Sequence, residues 1–139
     1  MTDRALVEKR LALIETCLAD LRRLARPEKM VSDVREERFI EHTLQLAIQA
    51  ALDVASHIVS DRRLGEPRSN RELFLLLERD GWLPSDMRVR LADMAGFRNI
   101  LVHGYDDVDL SVVEDVVTTR LVDLEGFVAS IRQGLNRAT

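Results

Sequence analysis

The sequence contains one cysteine, Cys17, so it can form neither an internal disulfide nor a cysteine-built metal cluster. Cys17 lies among apolar residues of the first predicted helix, where it reads as buried filler rather than as a nucleophile. Six glycines and three prolines are too few for a strand-and-turn fold of 139 residues. The longest unbroken apolar run, Leu73-Phe74-Leu75-Leu76-Leu77, is far too short to cross a bilayer. The opening ten residues carry too many charges for the apolar region of a signal peptide. These absences predict a cytoplasmic protein with no membrane partner. A positive net charge is missing too. At −4 the chain generates no global field to draw in nucleic acid, so any RNA contact must be local, and no DNA binding is expected. The basic residues are nearly all arginine, with Lys9 and Lys29 the exceptions, and genomic base composition explains that bias as well as phosphate binding does.

What is present points to helices. Apolar residues make up 46% and charged residues 32%, a globular balance. Leu, Ala, Arg and Glu dominate, and all favour helix. The length suits a single domain over 1–139. Five helical stretches can be read. The first runs from about Asp3, a plausible N-cap, to Arg26, where Pro27 stops it. The second, from about Val31 to Arg63, carries the stripe Ile40, Leu44, Ala47, Ala51, Val54, Ala55 and Ile58. Its other arc holds His42, Gln45, Gln49, Asp53, Ser56 and Ser60, which suit a partner surface or a polar cleft as well as an ordinary wet face. A short third helix follows Ser69 or Asn70 and ends at Gly81, with Trp82-Leu83 as a loop anchor on the core. The fourth spans about Met87 to His103. The fifth starts near Asp109 or Ser111, runs to about Asn136, and is periodic despite its β-branched run. Short connections make neighbours roughly antiparallel. The expected fold is an all-α, up-and-down bundle of four main helices plus one short one.

The fourth helix carries the candidate chemistry. Its apolar arc gathers Leu91, Met94, Ala95, Phe97, Leu101 and Val102, while Ile100, Ala92 and Gly96 line the other edges, so the helix is expected to be covered nearly all round. Arg98 projects into that arc, where a guanidinium must be paired or must reach a polar cavity. His103 stands about 140° from Arg98 on an ideal helix, so one copy does not bring the two together by spacing alone. Asn99 and His103 form an i, i+4 pair, and an Asn99 hydrogen bond would orient the imidazole. Gly104 is expected to end the helix in a left-handed conformation, with Tyr105 just past the turn. An ordinary structural role is open on these grounds: Arg98 paired with a core carboxylate such as Asp53, and His103 facing the helix C-terminal dipole.

The chain as a whole resembles the HEPN superfamily, and within it the HepT-like toxins encoded beside a minimal nucleotidyltransferase (MNT) antitoxin. The resemblance covers nearly the full length. It lies in Phe39 to Gln45 and Ala47 to Ile58 of the second helix and in Glu72-Leu73-Phe74 of the third. It is strongest in Met94 to Tyr105, where the family's Arg, polar residue, three variable positions, His, one variable position and Tyr all occur in register. The resemblance implies a homodimer whose two Arg-x4-His motifs face a shared cleft, forming a metal-independent endoribonuclease. RNA brings its own nucleophile, the 2′-OH, so such a protein needs only to move protons and stabilise charge. By resemblance, His103 acts as general base or acid and Arg98 holds the scissile phosphate. Asn99 supports His103 or the phosphate, and Asp53 counts as a supporting carboxylate. Products ending in 2′,3′-cyclic phosphate and 5′-hydroxyl follow. Tyr105 matches the adenylyl acceptor of such toxins, and phosphates added there would compete with RNA for Arg98 and His103.

The chain shows no His-Glu-x-x-His, no phosphate-binding glycine loop and no glycine-flanked serine elbow, so no cofactor or metal is expected. His57 at i+4 from Asp53 is expected to bond locally. The implied partners are the nucleotidyltransferase antitoxin, an RNA substrate (tRNA or mRNA) and a second copy of the chain, assembled further when the antitoxin binds. Two other readings use the same residues. One is a non-catalytic adaptor that binds a nucleotidyltransferase or a nucleotide; the other is a structural dimer in which Arg98 pairs across the interface.

Overall fold

Capping residues fix where most of the helices begin. In the computed structural model, which describes residues 2–104 and 108–137, Asp3 caps α1 (Arg4–Leu24) by accepting from the Leu6 N–H. Pro27 then starts a single 3₁₀ turn (Pro27–Lys29) rather than merely stopping the helix. Asp33 caps α2 (Val34–Asp61), which therefore starts about three residues later than the apolar pattern predicts. Ser69 caps α3 (Asn70–Arg79) through the Glu72 N–H. Pro84 precedes α4 (Ser85–His103), whose Asp86 suits the positive end of the helix dipole. Asp109 caps α5 (Leu110–Asp115) and accepts from both the N–H and the hydroxyl of Ser111, which holds its carboxyl below the usual range.

The predicted fifth helix is not uniform. From α5 it passes through a π-helical turn (Val116–Arg120) into α6 (Leu121–Arg137) without a break. Thr118 and Thr119 donate their hydroxyls to the carbonyls of Glu114 and Asp115, at 2.7 and 2.8 Å, beside the turn. A π turn disturbs the regular i→i−4 ladder, and two adjacent threonines supply alternative donors to carbonyls there. Taken as one rod, α5 to α6 completes four long helices and one short one, with no strand among the described residues. None of these helices is long and apolar enough to cross a membrane.

The core fills the space between the rods. The α2 stripe read from the sequence is buried throughout, and Ile48, Leu52 and Val59 form a second buried line beside it. Phe74 of α3 meets Phe127 of α6 edge to face at 6.0 Å. Cys17 is buried as filler, and burial, reinforced by Asp20, pushes its thiol up. Trp82 and Leu83 are buried as expected, with the indole N–H donated to Asp80.

The ends of the helices are tied together in a way that fixes direction. Asp3 N–H donates to His57 and the Thr2 hydroxyl to Asp61, so the start of α1 meets the end of α2. Arg132 bonds Glu8 and Glu15, joining α6 to α1. Arg62, just past α2, bonds Asp80 at 2.7 Å and lies over the Trp82 ring, so α2 ends where α4 is about to begin. From there α4 packs against α2. Asp123, buried on α6, accepts from Arg90 of α4 and from Arg120 of the π turn, each at 2.9 Å.

Candidate active site

The Arg98-x4-His103 segment occupies the last turns of α4, where the helix leaves the core. Leu91, Ala92, Met94, Ala95 and Phe97 are buried, whereas Asn99, Ile100 and His103 are exposed. The expectation of a helix covered all round fails here: Arg71 of α3 reaches Asp93 and Gly96, while the residues just beyond them on α4 lie open to solvent. Ile100 is 51% exposed, an apolar side chain presented to solvent beside the motif.

Arg98 is half-buried. Its Nη1 donates to Asn99 Oδ1 at 3.3 Å, and its Nε is buried without a hydrogen-bond partner. A bond at that length is weak for N–H···O. Asn99 is therefore engaged with Arg98 and not with His103, which corrects the expected Asn99–His103 pair. The His103 imidazole makes no hydrogen bond among the described residues and faces solvent. Both functional groups of the motif are thus available to a ligand or a second chain.

Gly104 ends α4, but in the right-handed region, at φ −79 and ψ −22, rather than with the expected positive φ. Its N–H donates to the Ile100 carbonyl at 2.7 Å, and a Cβ there would stand 2.5 Å from that oxygen. Close approach, not handedness, calls for glycine. Tyr105 lies outside the described residues.

Asp53 stands elsewhere in the protomer. It accepts from Gln49 Nε2 at 2.9 Å and lines a small hollow on the α1 flank of α2, with Leu6, Val7, Arg10 and His57. Within one protomer Arg98 does not pair with it. His57 accepts from the Asp3 N–H instead of bonding Asp53, because the start of α1 brings it a backbone donor. A carboxylate that the sequence reading did not single out is more unusual. Glu41 of α2 has a buried, unpartnered Oε2, and burial together with neighbouring Glu37 pushes its carboxyl up against the opposing pull of Arg38. The signal available in sequence was an acidic residue seven positions before Ile48 and eleven before Leu52, at the head of a line of core residues. Among the described residues no group of three or more His, Cys, Asp or Glu could hold a metal ion.

The comparisons with known proteins agree with this architecture. A family model described as Ribonuclease HepT-like matches residues 14–131. The chain belongs to the HepT-like family. The tRNA nuclease HepT of Aphanizomenon flos-aquae is 31% identical over 132 residues, covering 94% of this chain and 90% of that one. The mRNA nuclease HepT of Shewanella oneidensis is 37% identical over 89 residues, covering 64% and 67%. In three dimensions the HepT-like chain superimposes on the tri-AMPylated Shewanella oneidensis HEPN toxin, solved in complex with MNT antitoxin, with a TM-score of 0.85 and 29% identity. That match covers 96% of this chain and 99% of the other. The HEPN resemblance read from the sequence is thereby established.

Proposed function

We propose that this chain is the toxin of a HEPN/MNT toxin–antitoxin pair: a cytoplasmic, metal-independent endoribonuclease that acts as a homodimer. The observation that carries the proposal is the motif at the open end of α4 in a HepT-like chain, with the Arg98 guanidinium held by one long bond and His103 unengaged. In this reading His103 takes the proton from the RNA 2′-OH, the oxygen attacks the adjacent phosphorus, and the 5′-oxygen leaves as an alcohol. The proton can come from the second His103 at the shared cleft. Arg98 neutralises the charge that gathers on the phosphoryl oxygens. The products are a 2′,3′-cyclic phosphate and a 5′-hydroxyl. Asn99, bonded to Arg98, supports the guanidinium, and Asp53 is left to support from the α1 flank. Exposed Ile100 and Val112 suit a face that a second copy covers.

The antitoxin would be a minimal nucleotidyltransferase that neutralises the toxin at Tyr105 by adenylylation, as the AMPylated state of the Shewanella toxin suggests. The substrate is RNA; the two relatives are named for mRNA and for tRNA, so both classes belong in the assay. The test is cleavage of tRNA and mRNA in EDTA by the wild-type chain, Arg98→Ala and His103→Ala, with end-group analysis. Cleavage by the wild type alone is expected. Activity surviving in both variants, or a required divalent metal, would overturn the reading. A Tyr105→Phe chain should cleave RNA and escape modification by the nucleotidyltransferase.

A further inference from the structure

At the other end of α4 from the motif, the ends of α2, α3 and α6 border a hollow of about 370 Å³ lined by Arg62, Asp80, Gly81, Trp82, Gly134 and Arg137. Its one carboxylate is already engaged: Asp80 accepts from Arg62 Nε at 2.7 Å and from the Trp82 indole at 3.0 Å. Each guanidinium is tethered by a single bond, Arg62 to Asp80 and Arg137 to the Gly81 carbonyl at 3.2 Å. Four N–H donors on each are left without a partner among the described residues. Arg63 and Arg79, next to Arg62 and Asp80 in the chain, are exposed and make no hydrogen bond or ion pair among the described residues. The acidic neighbours Asp61 and Glu78 are engaged elsewhere, with Thr2 at the start of α1 and with Arg88 of α4. In a chain of net charge −4, this end carries a local surplus of arginine.

Arg63 stands out for its backbone. It alone among the described non-glycine residues has a positive φ, at 55. The Leu64 N–H donates to the Val59 carbonyl at 3.0 Å and the Arg63 N–H to the Ser60 carbonyl at 3.2 Å, the paired bonds that end a helix through a left-handed residue. Glycine or asparagine takes that position with least strain, so an arginine there holds a strained conformation that its side chain has to justify. Cations near helix C-termini offset the helix dipoles, which accounts for positive charge at this end but not for placing it on a left-handed residue.

We propose that this end of the bundle is a second RNA contact: Arg63, with Arg62 and Arg137 at the hollow, binds backbone phosphates of the substrate remote from the scissile bond. Guanidinium forks suit phosphate oxygens, and donors already held at one N–H lose less freedom on binding. The surface lies about 28 Å from His103 along α4, at 1.5 Å rise per residue, a span that a folded RNA such as tRNA covers. Phosphate contacts there add affinity and orient the RNA without carrying sequence information, and they leave the chemistry to Arg98 and His103. The inference takes its substrate class from the ribonuclease reading, but its binding measurement does not depend on cleavage.

Binding of bulk tRNA is measured by anisotropy in the full-length chain carrying His103→Ala, alone and with Arg63→Gly or Arg137→Gln added, over a range of salt. Each added substitution is expected to weaken binding about five- to tenfold and to make the salt dependence shallower by about one unit of log–log slope. Arg63→Gly relieves the strained turn, so it should melt higher than its parent while binding RNA less well, a combination that damage to the fold does not produce. In chains with His103 intact, the same substitutions should raise KM for tRNA cleavage and leave kcat unchanged. Unchanged tRNA affinity in both variants, or weaker binding with the parent's salt slope, overturns the proposal. Variants that bind tRNA normally but lose the nucleotidyltransferase would assign the surface to a protein partner and overturn it as well. If the wild-type chain cleaves no RNA while tRNA binding still falls in both variants, the ribonuclease reading fails and the second contact stands.

Discussion

Gly134 of α6 lies flat against the indole of Trp82, so close that a Cβ at that position would stand 2.3 Å from Cε3. The contact locks the end of α6 onto the turn that starts α4, and Arg137 reinforces it by donating to the Gly81 carbonyl. An alanine would gain about 1 kcal/mol of helix propensity. It would also have to move a buried ring, and overpacking of that kind costs about 1–3 kcal/mol. Gly134→Ala is therefore expected to destabilise in urea melts. Gly96→Ala should do the opposite, by about 0.5–1 kcal/mol, because its near neighbour is only the exposed tip of Arg71. Equal shifts in the two variants would contradict the packing argument.

Removing the Asp123 carboxylate should loosen α4 from the last rod. The side chain is 4% exposed and accepts from two arginines that reach it from different elements. Both arginines stay partly open to water once the carboxylate is gone, which limits the loss to about 2 kcal/mol, the scale of a charged hydrogen bond. Arg120, whose pKa is raised chiefly by that bond, loses its main partner. Denaturant unfolding of Asp123→Ala provides the measurement, and an unchanged midpoint would refute the clasp.

Glu41 predicts an alkaline-side effect on stability. Its folded carboxyl binds a proton more tightly than the unfolded one, since burial and Glu37 disfavour the charge more than Arg38 relieves it. Stability from this group is present below the ordinary glutamate pKa of 4.5 and is lost as pH rises through the raised value. Glu41→Gln should thus melt higher than wild type at neutral pH, with the gap closing toward pH 4. Equal melting temperatures at both ends would remove the burial penalty from the account.

Arg98→Lys tests whether the motif needs a fork or merely a charge. Lysine keeps the positive charge but presents a point donor in place of the planar fork, so RNA cleavage should drop at least about tenfold with little change in the melting temperature. Full activity in this variant would mean that charge alone suffices.

Much of the architecture was legible because apolar period and caps agree. Asp3, Ser69 and Asp109 are capping residues placed just before periodic stretches, and all three cap in the structure. The start of α2 was misread because Val31 looks like part of the stripe, yet it is 84% exposed and the true cap is Asp33. The π turn left no trace in the pattern, since Val116 and Val117 are both buried and either one satisfies the period. At the site, spacing located Arg98 and His103 but not the company they keep. Asn99 turned out to serve Arg98, and Asp53 belongs to the α1 flank. Such pairings depend on which helix lies alongside, and a single helix's periodicity carries no information about that.

The π turn at Val116–Arg120 also changes how this stretch responds to loss of a residue. A π turn holds about one residue more than an α turn over the same rotation, so deleting one residue from it would restore regular winding and leave Val113 upstream and Leu124 downstream still facing the core. The same deletion within α6 has no such slack: everything on one side of it turns by about 100°, and the buried face of the rod breaks there. The wide turn is thus the one stretch of this rod where the loss of a single codon would shorten the helix without rotating it.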